Sequence, residues 1–162
     1  MALTVISNTT PIITLLAIDK FDLLPQLFKK IYVPYGVYQE IEDGKHKRFY
    51  THLPKYDWIK IESVSNHLAL EQLEESLDRG EAQAIILYQE MKADLLILDE
   101  RLGTKYAKAR NCNVTGSYGI LIRAKELGLI DEIKPLLLEA RSKDIFIGDK
   151  LFDLILEKAN EK

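Results

Sequence analysis

Leu95-Leu96-Ile97-Leu98-Asp99-Glu100 is the stretch on which the fold turns. Four apolar residues in a row are too few for a helix of their own, so they read as a central strand buried on both faces. The segment before them, Glu81 to Lys92, is apolar on most sides and reads as a largely buried helix. The segment after them, Asp99 to Arg110, reads as a second helix. Outward from this unit the alternation repeats. Leu3 to Ser7 reads as a strand, with Thr10 as N-cap and Pro11 as first residue of a helix over Ile12 to Ile18. A short helix over Asp22 to Phe28, a strand over Ile31 to Val33 and a helix over Tyr35 to Glu42, ended by Gly44, follow. Trp58 to Ile61 alternates as a strand, and Leu70, Leu73 and Leu77 mark a helix that stops before Gly80. Asn113-Val114-Thr115 is a further strand, and Ser117 to Leu127 a further helix. Ile133, Leu136, Leu137 and Ala140 then repeat at helical spacing, as do Phe152, Ile155, Leu156 and Ala159. Short buried strands alternating with helices predict an α/β sandwich with a parallel sheet. The expected organisation is a single domain, its core about 1–128 and a carboxyl-terminal helical extension about 129–162.

The composition fits that fold. With 162 residues, 47% hydrophobic and 29% charged, the chain can bury a core without staples, and wholesale disorder is excluded. Cys112 is alone, which excludes an intrachain disulfide and a cysteine-based structural metal site. No apolar run approaches the roughly 20 residues of a membrane span, and the start lacks the basic region of a signal peptide. The expectation is a cytoplasmic protein with no membrane partner. The net charge of −3 hides a strong local polarity. Residues 101–125 carry Arg101, Lys105, Lys108, Arg110, Arg123 and Lys125 without an acid, and residues 44–56 carry Lys45, Lys47, Arg48 and Lys55 likewise. Such surfaces suit a phosphate backbone, although on charge alone solvated helix faces are the plainer reading.

Familiar catalytic motifs are missing: there is no P-loop, no H-E-x-x-H among His46, His52 and His67, and no G-x-S-x-G elbow. Gly116-Ser117-Tyr118-Gly119 matches a short RNA-clamping pattern but reads better as a turn into the next helix. What remains is polar residues at the ends of strands, where open α/β sheets bind ligands. Asn8 directly follows the first strand, Asp99 follows Leu95–Leu98, Glu81 opens a helix and Glu40 lies in the helix after Ile31–Val33. Their oxygens are hard donors suited to Mg²⁺ or Mn²⁺. Taken singly, each also has a structural role open to it, as a helix cap, a dipole partner, a solvated face or an Asx-turn.

Four segments stand in order along the chain: Val5-Ile6-Ser7-Asn8-Thr9-Thr10-Pro11-Ile12-Ile13, Val33-Pro34 through Val37-Tyr38-Gln39-Glu40-Ile41, Gly80-Glu81-Ala82-Gln83-Ala84-Ile85, and Leu95 to Glu100 with the basic helix behind it. Together they resemble the PIN-domain nucleases. Val114 to Leu121, with Ala124-Lys125-Glu126-Leu127-Gly128-Leu129-Ile130, is similar to a prokaryotic, VapC-like branch with an extended carboxyl-terminal helical part. The resemblance covers essentially the whole chain. It implies a three-layer α/β/α sandwich around a parallel sheet, and acids that bind Mg²⁺ or Mn²⁺ for phosphodiester hydrolysis by an activated water. Carried over, the family's four acidic positions fall on Asn8, Glu40, Glu81 and Asp99. Thr10 matches its small hydroxyl residue near the metal, and Glu100 is an extra outer ligand. Arg101, Lys105 and Lys108 are then candidates for holding the nucleic-acid backbone.

Asn8 departs from the pattern, since the family has Asp there. An amide oxygen can ligate a metal but brings no charge and cannot act as a base. The site's formal charge falls from about −4 to about −3, so weaker metal binding and lower turnover are expected. Three functions follow, in order of preference: a metal-dependent ribonuclease, the toxin of a toxin–antitoxin pair, weakened at Asn8; a catalytically silent PIN-like domain that binds nucleic acid or a protein; or a structural DNA-repair or rRNA-processing nuclease component. RNA, an antitoxin protein and a second copy of the chain are the expected partners. The stripes Ile133–Ala140 and Phe152–Leu156 supply the apolar surface for association, or else pack on each other.

Overall fold

Val5 and Ile97 are fully buried in one apolar cluster, whereas their chain neighbours Ile6, Leu96 and Leu98 are buried in another. Successive side chains of a strand point to opposite faces, so this split defines a sheet covered on both sides. The structure, a computed structural model, describes residues 3–162. Its strands are β1 (Val5–Ser7), β2 (Ile31–Pro34), β3 (Ile59–Glu62), β4 (Leu95–Ile97) and β5 (Val114–Thr115). They form one five-stranded sheet in the order β3-β2-β1-β4-β5, every pair parallel.

The helices are α1 (Thr9–Ala17), α2 (Leu23–Phe28), α3 (Tyr35–Asp43), α4 (His67–Glu74), α5 (Arg79–Met91), α6 (Arg101–Ala109), α7 (Ser117–Glu126), α8 (Lys134–Ser142) and α9 (Asp149–Lys158). Ile12 and Leu15 of α1, Ile120 of α7, Leu137 of α8 and Ile155 of α9 share the cluster of Val5. Leu70 of α4, Ile85 of α5 and Ala107 of α6 share that of Ile6. The result is the expected α/β/α sandwich. The apolar stripes of α8 and α9 are covered: Ile133, Leu137, Ala140, Phe152, Ile155 and Leu156 are buried in the chain's own core, and Leu136 packs against it. Among the described residues no helix is long and apolar enough to cross a membrane.

Four element boundaries that position polar residues differ from the sequence reading. α1 starts at Thr9, with Asn8 rather than Thr10 in the N-cap position, so Pro11 is the third helical residue. The Thr10 hydroxyl is used elsewhere, donating to Glu100 Oε1 at 2.6 Å. α4 ends at Glu74, before Leu77, and α5 starts at Arg79, because the Asp78 side chain caps it by accepting from Glu81 N at 2.8 Å. Gly80 therefore lies inside the first turn of α5. α6 starts at Arg101, which leaves Asp99 and Glu100 in the connection beyond β4.

Candidate metal centre

The strand order reverses direction between β1 and β4, where α/β sheets open a crevice beyond the strand ends. Asn8 enters it directly from β1, its N–H donating to Ile97 O of β4 at 3.0 Å. The residue is only 3% exposed. Its Oδ1 is the one buried side-chain polar atom without a hydrogen-bond partner among the described residues. Leaving such an atom unsatisfied costs about 1–3 kcal/mol, so a buried orphan oxygen points to a ligand.

Gly80 makes room for that ligand. A Cβ at this position would stand 2.8 Å from Glu40 Oε2 and 3.3 Å from Asn8 Oδ1. The two oxygens converge on a space that exists because residue 80 has no side chain. Glu40 is delivered by α3, and its Oε2 accepts the Thr9 hydroxyl at 2.8 Å. The helices carrying Glu40 and Glu81 are fastened together by Gln83, whose buried Oε1 accepts Gly36 N at 2.7 Å.

Glu81 is 7% exposed. Burial, then the charge of Asp78, and after these Glu100 and Glu40 push its carboxyl up to about 7. Repulsion among acids with no cation between them is thus built into the crevice. Asp99 is engaged differently. Its Oδ1 accepts the backbone N–H of Ser117 and its Oδ2 the Ser117 hydroxyl, both at 2.6 Å. Ser117 is the first residue of α7, so this carboxylate sits as an anion on a helix N-terminus. A Cβ on Gly116 would stand 2.6 Å from Asp99 Oδ1, so only glycine permits the approach. Burial raises the Asp99 pKa, against the two Ser117 bonds.

The structure therefore brings Asn8 and Glu40 together over Gly80, places Glu81 where the charges of Glu100 and Glu40 reach it, and holds Asp99 on Ser117 of α7. Among the described residues no three His, Cys, Asp or Glu side chains converge closely enough to hold an ion. The oxygen that meets Glu40 over Gly80 belongs to an amide, not to an acid. The donor chemistry fits a hard divalent cation nonetheless: oxygens only, one of them orphaned, a cradle a methyl would fill, and acids in need of a counter-charge. Arg101, Lys105 and Lys108 are exposed along α6, three and four residues apart on one helix face. Lys108 also borders a pocket of about 420 Å³ that reaches Asp99. Thr10, matched by the resemblance to a small hydroxyl residue near the metal, is half-buried and donates to Glu100 Oε1. Sequence reasoning did not assign roles to Asp78, Gly80, Gln83 or Ser117. Only Asp78 carried a usable signal, as an acid three residues before Glu81 at a helix start.

Gly80→Ala tests the cradle. Alanine is the better helix former by about 1 kcal/mol, so the variant is expected to fold at least as stably. Its methyl fills the space between Asn8 and Glu40, and calorimetric titration with Mn²⁺ is expected to lose most of its signal. Unchanged Mn²⁺ binding would remove this space as the ion's position.

A family model described as a PIN domain matches residues 4–161. No curated protein and no solved structure matches the chain.

Proposed function

This chain belongs to the PIN-domain family, a fold of nuclease type whose members typically use divalent metal ions, and we propose that it is a ribonuclease dependent on Mg²⁺ or Mn²⁺. The site is assigned to Asn8, Glu40, Glu81 and Asp99, with activity weakened by the neutral amide of Asn8. The observation that carries this reading is the convergence of the orphaned Asn8 Oδ1 with Glu40 over Gly80. A bound divalent cation supplies Lewis-acid stabilisation of the phosphate and activation of water. The chain's own part is to present these oxygens rigidly, with Thr9 orienting Glu40, Thr10 orienting Glu100 and Ser117 orienting Asp99. Arg101, Lys105 and Lys108 hold the RNA backbone beside them. Its proposed setting is the cytoplasm, as the toxin of a toxin–antitoxin pair, with the antitoxin and a second copy of the chain as protein partners. Since the α8 and α9 stripes are internal, such contacts draw on exposed residues such as Leu138, Leu151 and Leu154.

The backbone assignment is tested by RNA affinity against salt. Lys105→Glu with Lys108→Glu is expected to weaken binding uniformly across sequences. If both lysines meet single-stranded phosphates, the log–log salt slope becomes shallower by about 1.4. An unchanged slope would take α6 out of the RNA interface. The second reading, a silent PIN-like domain that binds nucleic acid or a protein, is favoured by the same amide and by the lack of three converging acids among the described residues. Cleavage assays on Asn8→Asp separate the two.

A further inference from the structure

A pocket of about 250 Å³ opens directly beside the candidate centre and shares Thr9 and Glu40 with it. Its remaining lining pairs apolar surface from Ile13 and Phe49 with the cations Lys47 and Arg48. The last three belong to the connection after α3, within the acid-free stretch 44–56. Phe49 is half-buried, and the Arg48 guanidinium lies over its ring at 5.1 Å from the centroid. Among the described residues Arg48 is otherwise tied only to Asp144, at 3.5 Å between side chains that are 57% and 93% exposed. Solvent screens such a pair, so the guanidinium is free to exchange it for a stronger anion.

An aromatic ring flanked by two cations, next to the oxygens assigned to the phosphate chemistry, is the arrangement that single-stranded nucleic acid requires. The pocket is smaller than the roughly 300–1,000 Å³ taken by drug-sized ligands, which suits one flat base. A base in a duplex is stacked on its neighbours and reaches such a pocket only after extrusion. We infer that this pocket binds one unpaired nucleobase of an RNA substrate, stacked on Phe49, with Lys47 and Arg48 on the adjoining phosphate. The inference rests on the ribonuclease reading and adds to it the pocket that takes the base and the side chain on which the base stacks.

The test is anisotropy of a short labelled single-stranded RNA with the full chain, compared with the same RNA annealed to its complement. Phe49→Ala is expected to weaken single-strand binding about 5- to 150-fold, the range of base–aromatic stacking, and to leave duplex binding unchanged. Phe49→Leu keeps the apolar volume that a fold needs but offers no ring, and is expected to lose as much. Phe49→Tyr is expected to restore affinity. Lys47 is exposed, so Lys47→Glu reports independently of folding, and is expected to weaken binding and flatten the salt dependence. If Phe49→Leu and Lys47→Glu both bind single strands as the parent does, while the Lys105 and Lys108 reversals weaken binding, the base site is overturned and the ribonuclease reading stands. If the parent binds neither form of RNA, both are overturned.

Discussion

Asn8→Asp is expected to destabilise the metal-free protein, to couple its stability to Mn²⁺, and to give RNA cleavage where the parent gives little or none. The residue is almost fully buried and its Oδ1 meets Glu40 Oε2 across the space at Gly80. A second carboxylate there faces a like charge, worth about 4 kcal/mol at 4 Å for an effective dielectric of 20, and also loses solvation. Part of this is relieved by proton uptake, so a loss of about 2–4 kcal/mol is the expected scale. A cation that binds only the folded state returns it by mass action, about 2.7 kcal/mol at 100 times Kd. Melting temperature in EDTA and in Mn²⁺ reads both effects. The parent, with an amide at this position, is expected to respond less to Mn²⁺. Asp99→Asn or Glu40→Gln added to the variant is expected to abolish cleavage again. A variant inert on RNA and DNA, with a melting point that Mn²⁺ leaves unmoved, would end the enzyme reading and put the silent domain in its place.

The sheet was legible because its signals are local. Leu95 to Leu98 has to be a strand buried on both faces, and the strand-end rule alone singles out Asn8 beyond β1 and Asp99 beyond β4. Glu40 came from a helix placed correctly after β2. What was not legible depends on partners far away in the chain. Thr10 was read as a cap because Pro11 follows it; in the structure its hydroxyl bonds an acid 90 residues on. Asp99 was singled out by its place beyond β4, but its partner was not: Ser117, 18 residues later, donates to both of its oxygens. Nothing near Asp99 in sequence announces that. The apolar periodicity of α8 and α9 showed that each has a face to cover, without showing that the two close over α1 and α7. Periodicity reports the existence of a face; only topology assigns its partner.

Glu81→Gln is expected to stabilise the metal-free protein above neutral pH and to cost it its response to metal. The Glu81 carboxyl titrates at about 7 in the fold against an ordinary value of 4.5. Between those values the native state holds a proton that the unfolded chain has released. Stability therefore falls as pH rises through the window, and the penalty is complete only above pH 7. The gap corresponds to about 3.5 kcal/mol at most, since one pKa unit is about 1.4 kcal/mol. Glutamine keeps the shape without the charge, so at pH 8 the variant is expected to gain about 2–3 kcal/mol. For a chain of this length that is roughly 5–10 °C in melting temperature. At pH 4.5 and below, where the parent's carboxyl is protonated, the gain should vanish. Mn²⁺ reverses the order, because a cation beside Glu81 favours its charged form and stabilises the parent as pH rises. A gain as large at pH 4.5 as at pH 8 would mean that packing, not a buried charge, limits stability here. A variant that Mn²⁺ still stabilises as strongly as the parent would remove Glu81 from the ligand set, leaving Asn8, Glu40 and Glu100 to hold the ion.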